Sequence, residues 1–380
     1  MVPELYQKHL KNILSESQLL FFYLIIIIIQ DTKNVKLEKI AESLPLPIQF
    51  SSRRKKLQRF LSLPVFTIKY LWFPIIREWT NKTFSKDQTI YLAMDRTNWK
   101  NYNLFMISLI YKNRAIPVYF ELLSKLGSSN LSEQKQIISN IIGLFDNYQV
   151  VVLGDREFCS VKLAQWLDTQ GFQFCLRLKE SEQIELENTG WISLKNCGLK
   201  PGQSLFFKKV KVTKTHQIKG FSVACKWKKS YRKSVTKEGW FILTNMTSVS
   251  EAIAAYKKRF DIEEMFRDYK RGGYNMEGSN VVGQRFISLV ILISFAYLFA
   301  TVQGEIINKK GVQNYVARVK EYGRLTKRHS SFYIGNYGQK WINFMDKCWG
   351  LVKNLMRLSR HKLDNYLRGM RAMKLIQSTF

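Results

Sequence analysis

An uncharged segment of 18 residues, Phe286–Gln303, is the feature that most limits how this chain can fold. A helix so apolar must be buried, either in a membrane or in the core of the protein. Its two serines, one threonine and one glutamine, and its place far inside a basic chain, favour a buried core helix. A second apolar run, Leu19–Ile29, has eleven residues, whereas a membrane span requires about 20. We therefore expect no membrane insertion, and a membrane helix is the distant alternative.

The net charge points to a polyanionic partner. The 380 residues include 60 Lys and Arg against 29 Asp and Glu, which gives a formal charge of +31. A compact protein this basic repels itself unless a polyanion neutralises it, so nucleic acid or an anionic membrane is the expected partner. The hydrophobic content of 46% excludes a disordered chain, and the length allows two or three domains.

Cysteine and histidine usage excludes several kinds of site. The five cysteines are odd in number and contain no CxxC pair, so we expect neither a structural zinc site nor a disulfide framework. Such cysteine usage is typical of a reducing compartment, and we expect the protein in the cytoplasm, associated with the nucleoid. The four histidines are scattered along the chain, which disfavours metal or nucleophile chemistry based on histidine.

Residues 1–84 are predicted to form a helical DNA-binding region. Leu37–Leu44 reads as a short helix, two prolines interrupt the chain after it, and Ser51-Ser52 could cap a second helix over Arg53–Leu61. This pair is similar to a helix-turn-helix, in which the second helix reads DNA. The basic residues in the recognition position are Arg53, Arg54, Lys55 and Lys56. An ordinary pair of basic helices is the alternative.

From residue 85 the pattern changes to short apolar runs typical of strands. The predicted strands are Thr89–Met94, Leu104–Tyr111, Ile116–Phe120, Val150–Leu153 and Phe172–Leu178. A helix over Val161–Thr169 separates the last two. An initial hairpin followed by strands that alternate with helices indicates an α/β fold with a mixed sheet, which we place at residues 85–305.

Two further regions are basic. Residues 180–247 are rich in Lys, Val, Phe and Trp with regular glycines, which predicts a β-rich insertion in the core. Between Leu205 and Lys237 the insertion has eleven basic residues and no acidic one, which favours a surface that follows phosphates. Residues 306–380 are predicted to be a helical region that packs its aromatic residues and presents its charge outward.

Two acidic residues directly follow predicted strands. Asp95 follows Thr89–Met94, and Asp155 follows Val150–Leu153 after one glycine. Active sites of open α/β sheets form outside strand ends, where side chains are held rigidly and face solvent. Each aspartate taken alone could equally cap a turn.

A third carboxylate, Glu263, lies in a predicted helix over Ser250–Arg271. At 100° per residue, Tyr256, Arg259, Glu263 and Lys270 fall within an arc of about 60°, beside an apolar face. That face consists of Ile262, Met265, Phe266 and Tyr269. Three side chains that can donate hydrogen bonds to phosphate, placed around a carboxylate, suit a site that binds both metal and a nucleic-acid backbone. A surface Arg259–Glu263 pair is the alternative, and it accounts for two of the four residues.

The three carboxylates predict the metal. Carboxylates on separate elements, without converging histidines, favour Mg²⁺ or Mn²⁺, which prefer oxygen ligands. Two such ions about 4 Å apart activate the attacking oxygen and stabilise the leaving oxygen of a phosphodiester.

The pattern Tyr256-x₂-Arg259-x₃-Glu263-x₆-Lys270 resembles, without a gap, the YREK signature of bacterial insertion-sequence DDE transposases (insertion sequence family four). The order Asp95, Asp155, Glu263 is similar to the DDE triad of that family, with 60 residues between the first two acids and 108 between the last two. The resemblance covers roughly Thr89 to Phe299. It implies an RNase H-like fold, with the long second gap holding the β-insertion of that branch.

The resemblance also implies roles for individual residues. Asp95, Asp155 and Glu263 would be the catalytic metal ligands, while Tyr256, Arg259 and Lys270 would contact phosphates near the transposon end. Trp240 resembles the insertion-domain tryptophan that accompanies a flipped base at the hairpin step, although it could also be a strand-core residue. A homodimer in the synaptic complex would be expected, and about 75 residues follow the core, fewer than in the larger members of the family.

The leading hypothesis is therefore a cut-and-paste DNA transposase, which cleaves the ends of its element and uses the freed 3′-hydroxyl to attack target DNA. Two alternatives remain open. One is an RNase H-like nuclease or resolvase with the same acids, and the other is a catalytically inactive DNA-binding protein derived from a transposase.

Overall fold

A computed structural model describes residues 4–99, 102–229, 238–318, 322–323 and 328–379. The chain divides into two compact units, one formed by residues 1–75 with 268–380 and the other by residues 76–267. The first is helical, and the second contains a sheet of ten strands.

The secondary structure in chain order is as follows. The helices are α1 (Glu4–Ile13), α2 (Glu16–Thr32), α3 (Leu37–Ser43), α4 (Phe50–Leu61), α5 (Phe73–Thr83), α6 (Leu131–Ser139), α7 (Val161–Thr169), α8 (Val249–Lys257), α9 (Phe260–Tyr269), α10 (Gln284–Lys309), α11 (Ser331–Leu358) and α12 (Leu363–Gln377). The strands are β1 (Thr89–Trp99), β2 (Tyr102–Tyr111), β3 (Arg114–Leu123), β4 (Gln149–Gly154), β5 (Gln173–Arg177), β6 (Gln183–Leu186), β7 (Gly190–Ser193), β8 (Ser204–Val212), β9 (Ile218–Lys226) and β10 (Trp240–Thr244).

The sheet has the strand order β3-β2-β1-β4-β5-β10-β9-β8-β6-β7. The first three strands form an antiparallel meander, and β4 and β5 run parallel to β1. Strand β2 is buried along almost its whole length, as expected for a strand covered on both faces. The order β3-β2-β1-β4-β5 and these strand directions are those of an RNase H-like core, which confirms the predicted fold class. All five predicted strands and the helix α7 are present.

The β-rich insertion continues the core sheet. β10 pairs antiparallel with β5, and β9, β8, β6 and β7 follow it outward. The insertion therefore lies between β5 and α8 in the sequence while its hydrogen bonds extend the sheet. Residues 230–237, which belong to the predicted basic surface, lie outside the described residues.

The helical unit is built around α10. This helix contacts α2, α4 and α11, and Phe22 packs edge-on against Phe295 at 5.0 Å between ring centroids. By length and composition α10 could cross a membrane, but 89% of its most apolar 18-residue stretch is buried in the protein. Helices α2 and α3 are long and apolar enough to cross a membrane only when taken together, as one span bent by 105°. The polar residues of α10 form hydrogen bonds within the helical unit; Ser288 Oγ, for example, donates to Leu61 O at 2.7 Å. The prediction of a buried core helix is confirmed.

Helix α4 begins earlier than predicted. Its N-cap is Gln49, whose side chain makes no capping bond, so Ser51 and Ser52 lie in the first turn and the predicted serine cap is wrong. Pro47, two residues before the cap, has no N–H group to donate within a helix and so interrupts the chain between α3 and α4. Helix α4 begins three residues after this proline, at Phe50.

The predicted helix over residues 250–271 is in fact two helices, α8 and α9. Between them, Lys258 N donates to Ala255 O and Arg259 N donates to Tyr256 O, at 3.0 and 3.1 Å. These bonds span three residues instead of four, which tightens the chain into a turn. The single stripe of Tyr256, Arg259, Glu263 and Lys270 is therefore wrong as helix geometry. The predicted apolar face of α9, formed by Ile262, Met265, Phe266 and Tyr269, is buried as expected.

The crossing of α10 and α11 yields a stability prediction. A Cβ at Gly335 would lie 1.8 Å from Ala300 O, and one at Gly304 would lie 1.8 Å from Ser331 O. Gly335→Ala should therefore lower the free energy of unfolding by about 3 kcal/mol, because the two helices would have to separate. The matched control is Gly350→Ala, also in α11, where a Cβ meets nothing within 4 Å and should stabilise the helix by about 0.5–1 kcal/mol. Urea unfolding measures both, and equal effects would contradict the close crossing.

Candidate active site

The two aspartates lie where the parallel pairing of β1 and β4 ends. The last pair of residues in that ladder is Met94 with Gly154, so Asp95, still in β1, and Asp155, directly after β4, come next. β1 itself continues to Trp99 because β2 pairs with it to that point, and the prediction that the strand ends before Asp95 is wrong. The two carboxylates are nevertheless placed side by side.

Gly154 allows the close packing that precedes Asp155. A Cβ at this position would lie 2.8 Å from Phe158 Cβ and 3.0 Å from Leu176 Cδ2. The turn after β4 can therefore fold tightly over the sheet only with glycine here. Asp155 also caps this turn, since Glu157 N donates to Asp155 Oδ1 at 2.9 Å. The capping role considered from the sequence is thus present together with the placement beside Asp95.

Asp95 lies in an environment that disfavours its charge. Its side chain is 18% exposed, and Arg96 N donates to its Oδ1 at 2.7 Å. Burial, followed by the negative charge of Asp155, raises the pKa of the Asp95 carboxyl to about 7, against the opposing charge of Arg259. The two aspartates repel each other, and a cation between them would relieve that repulsion.

Arg259 joins the third acid to the first. Its Nη2 donates to Glu263 Oε1 at 2.6 Å, and its Nη1 lies 3.6 Å from Asp95 Oδ2. The arginine side chain is only 5% exposed, whereas that of Glu263 is 53% exposed. The pair considered from the sequence therefore exists, but its arginine is buried. Arg259 lies in the turn between α8 and α9, and Glu263 lies in the first turn of α9.

An aromatic cluster surrounds Arg259. Its guanidinium lies 4.5 Å from the ring centroid of Phe260, which stacks on Trp240 at 5.7 Å. Trp240 also meets Tyr256 edge-on at 5.1 Å and is half-buried in β10. Tyr256 is fully buried, and its Oη has no hydrogen-bond partner among the described residues. Burial raises the pKa of the Tyr256 hydroxyl, while the charges of Arg259 and Arg177 oppose the rise.

Three charged residues near this cluster were not predicted. Arg177 ends β5, and its Nη2 lies 2.8 Å from Glu238 Oε1. Arg156, directly after Asp155, pairs with the same carboxylate. Arg177 ends a strand next to β4, but the predicted strand Phe172–Leu178 placed it inside the strand, so the strand-end rule that located the aspartates did not find it.

Other predicted DNA-binding residues belong to the helical unit. Lys270 follows the last residue of α9, and its Nζ lies 3.6 Å from Glu277 Oε1. Arg53 Nη1 donates to Leu44 O at 2.9 Å and Arg54 pairs with Glu38, so both arginines link α4 to α3. The other two basic residues of α4, Lys55 and Lys56, are exposed.

The donor set determines whether a metal ion fits. Within the described part of the chain, no three His, Cys, Asp or Glu side chains lie close enough to hold a metal ion. Asp95 and Asp155 offer the oxygen ligands that Mg²⁺ and Mn²⁺ prefer, and their mutual repulsion fits a cation between them. Glu263 is instead engaged by Arg259, whose Nη2 donates to its Oε1.

The raised pKa of Asp95 predicts a pH dependence of stability without metal. Between pH about 4 and about 7 the folded protein retains a proton that the unfolded chain has released, so rising pH destabilises the fold across this window. Asp95→Asn removes this contribution. In EDTA, the variant should therefore gain stability over the wild type from pH 4 to 7, by about 2–4 kcal/mol in total. Thermal unfolding at several pH values measures this difference, and a difference that does not vary with pH would contradict the burial of the charge.

Comparisons with known proteins identify the family of the chain. The sequence matches the family described as transposase DDE domain over residues 94–299, a range that covers more than half of the chain and contains all three acids. No curated protein matches the sequence. Among solved structures, the chain is similar to the cryo-EM structure of the piggyBac transposase synaptic complex with hairpin DNA. The identity is 12% and the TM-score is 0.46, over 95% of this chain and 76% of the other. On the match over residues 94–299, the chain belongs to the transposase DDE domain family.

Proposed function

We propose that this chain is a cut-and-paste DNA transposase that hydrolyses phosphodiester bonds at the ends of its element and transfers the freed 3′-hydroxyl into target DNA. The observation that carries the proposal is the arrangement of three acids within the matched family range. Asp95 lies in β1, Asp155 directly follows the adjacent strand β4, and Arg259 links Asp95 to Glu263. The gapless YREK pattern supports the insertion sequence family four branch.

The three acids would hold two Mg²⁺ or Mn²⁺ ions. When bound, such ions activate the attacking oxygen and stabilise the leaving oxygen. The contribution of the protein is to hold Asp95 and Asp155 at a rigid sheet edge, so that these two carboxylates need little reorganisation when DNA binds.

The residues around Arg259 would bind the phosphates of the transposon end. The buried Arg259 Nε and the buried Tyr256 Oη both have no hydrogen-bond partner in the described residues, so a phosphate would satisfy both. A phosphate that takes Arg259 would also free Glu263 to bind metal. Lys270 would add a third phosphate contact, and Trp240, half-buried beside two aromatic rings, would accompany a flipped base.

The rest of the chain would bind DNA through its backbone. Lys55 and Lys56 on α4 are exposed, as are Lys208 and Lys209 on β8. Contacts of this kind release counterions, so binding should weaken steeply with salt. Arg53 and Arg54 would support this surface by holding α4 against α3. We propose residues 1–84 as the DNA-binding region, a homodimer in the synaptic complex, and a location at the nucleoid in the cytoplasm.

Cleavage of a labelled DNA fragment tests the proposal against its alternatives. The fragment carries the inverted repeats that flank the gene, and the matched control carries the same bases in scrambled order. The proposal predicts nicking at the repeat terminus alone. Equal cutting of both fragments would favour a nuclease or resolvase, and tight binding without cleavage under any metal would favour an inactive DNA-binding protein.

A further inference from the structure

The two segments that carry Asp95 and Asp155 separate directly beyond these residues. β1 continues along β2, whereas the chain after β4 turns into a short 3₁₀ helix over Arg156–Phe158. The parallel hydrogen bonds that join the segments end at Met94 and Gly154. Two carboxylates that repel each other are therefore placed just where the backbone pairing stops.

One ion pair reconnects the segments at this point. Arg96, next to Asp95, donates from Nε to Oε1 of Glu157, which lies two residues after Asp155. The two side chains are only 13% and 14% exposed, so the pair is shielded from solvent. Each partner is also tied to its neighbouring acid, because Arg96 N donates to Asp95 Oδ1 and Glu157 N donates to Asp155 Oδ1.

Further hydrogen bonds fix both partners of the pair. Arg96 Nη1 donates to Asn103 Oδ1 at 2.6 Å, and the fully buried Asn103 donates from Nδ2 to Lys125 O and Gly127 O at 2.8 Å. Ser129 donates to Glu157 Oε1 from both its backbone nitrogen and its hydroxyl, at 2.8 and 2.7 Å. Burial raises the pKa of the Glu157 carboxyl, but the bonds from Arg96 and Ser129 outweigh it and the pKa is lowered.

We infer that Arg96 and Glu157 are positioning residues that fix the separation of the Asp95 and Asp155 carboxylates. The inference rests on the proposed function, in which these two acids bind metal. Glu157 Oε1 accepts three hydrogen bonds, one from Arg96 and two from Ser129, which hold its carboxylate against Arg96. Without the pair, repulsion lets the two segments move apart, and Mg²⁺ or Mn²⁺, which needs its ligands at fixed distances, binds more weakly.

The test measures Mn²⁺ affinity of the full-length protein without DNA, by electron paramagnetic resonance of the free ion. Arg96→Met and Glu157→Ala should raise the dissociation constant at least about tenfold, as expected for residues that support metal ligands. The conservative variants Arg96→Lys and Glu157→Gln should fall between these and the wild type, because each retains part of the hydrogen bonding. The matched control is Glu185→Ala, which breaks the Lys211–Glu185 pair between β8 and β6 and should leave Mn²⁺ affinity unchanged.

Two results would overturn the inference. In the first, Asp155→Ala abolishes Mn²⁺ binding, but all four variants of Arg96 and Glu157 bind Mn²⁺ like the wild type. The positioning role then fails and the proposed function stands. If Mn²⁺ binding does not depend on Asp155, the proposed metal site fails and the positioning role fails with it. Thermal unfolding in EDTA shows whether Arg96→Met and Glu157→Ala fold. If either does not, the conservative variants Arg96→Lys and Glu157→Gln decide the question.

Discussion

Cleavage at the element ends is expected to fall by at least about 10³-fold in each of Asp95→Asn, Asp155→Asn and Glu263→Gln, since loss of one metal ligand removes several kcal/mol of transition-state stabilisation. These neutral isosteres keep the size of the side chain and remove the charge that binds metal. DNA-end binding should remain, because it depends on basic residues. Single-turnover cleavage and a binding assay in EDTA measure the two effects separately.

The matched control for Glu263→Gln is Glu264→Gln, one position along the same helix. Glu264 pairs with Arg267 and lies 3.6 Å from Arg114, so its carboxylate is engaged by arginines other than Arg259. Its substitution should leave the cleavage rate within about threefold of the wild type, as expected for a residue outside the transition state. Cleavage that survives any of the three acid variants would contradict their assignment.

Replacing Arg259 is expected to have the second large effect. Arg259→Met removes a buried cation that lies 3.6 Å from Asp95 and 2.6 Å from Glu263, and leaves the acids to repel each other. Breaking such a pair should cost about 3 kcal/mol in EDTA, measured by urea unfolding. Because Mg²⁺ can then take the place of the lost cation, the ion should stabilise this variant more than it stabilises the wild type.

The matched control is Arg267→Met on α9. Arg267 pairs with Glu264 at a largely exposed position, with 64% of its side chain accessible. An exposed ion pair contributes at most about 1 kcal/mol, so this variant should unfold almost like the wild type. Equal destabilisation by both substitutions, or no added protection of Arg259→Met by Mg²⁺, would contradict the bridging role of Arg259.

Strands β1 to β5 could be located from local patterns, because each contains an apolar run bounded by acidic or turn residues. The boundary at Asp95 could not, because β1 is extended by its pairing with β2, which lies later in the chain. Likewise, the sequence indicated a β-rich insertion, but which core strand it joins depends on the contact between β10 and β5.

The break between α8 and α9 illustrates why the site geometry was only partly predictable. It contains no glycine or proline, and Lys258 and Arg259 are good helix formers. Both side chains are drawn toward β1, where Lys258 Nζ lies 4.4 Å from the ring centroid of Tyr91 and Arg259 contacts Asp95. Tertiary contacts therefore outweigh local propensity here. The Arg96–Glu157 pair was missed for the same reason, since its partners are 61 residues apart and meet only through the sheet.

The most direct test of the account is metal-dependent nicking of a DNA fragment that carries the element's own terminus. The wild type and Glu263→Gln are compared in Mg²⁺, in Mn²⁺ and in EDTA. The account predicts a nick at the terminus by the wild type in either metal, no nick in EDTA, and none by Glu263→Gln under any condition. A nick in EDTA, or one that Glu263→Gln makes as fast as the wild type, would contradict a transposase whose chemistry depends on metal held by Asp95, Asp155 and Glu263.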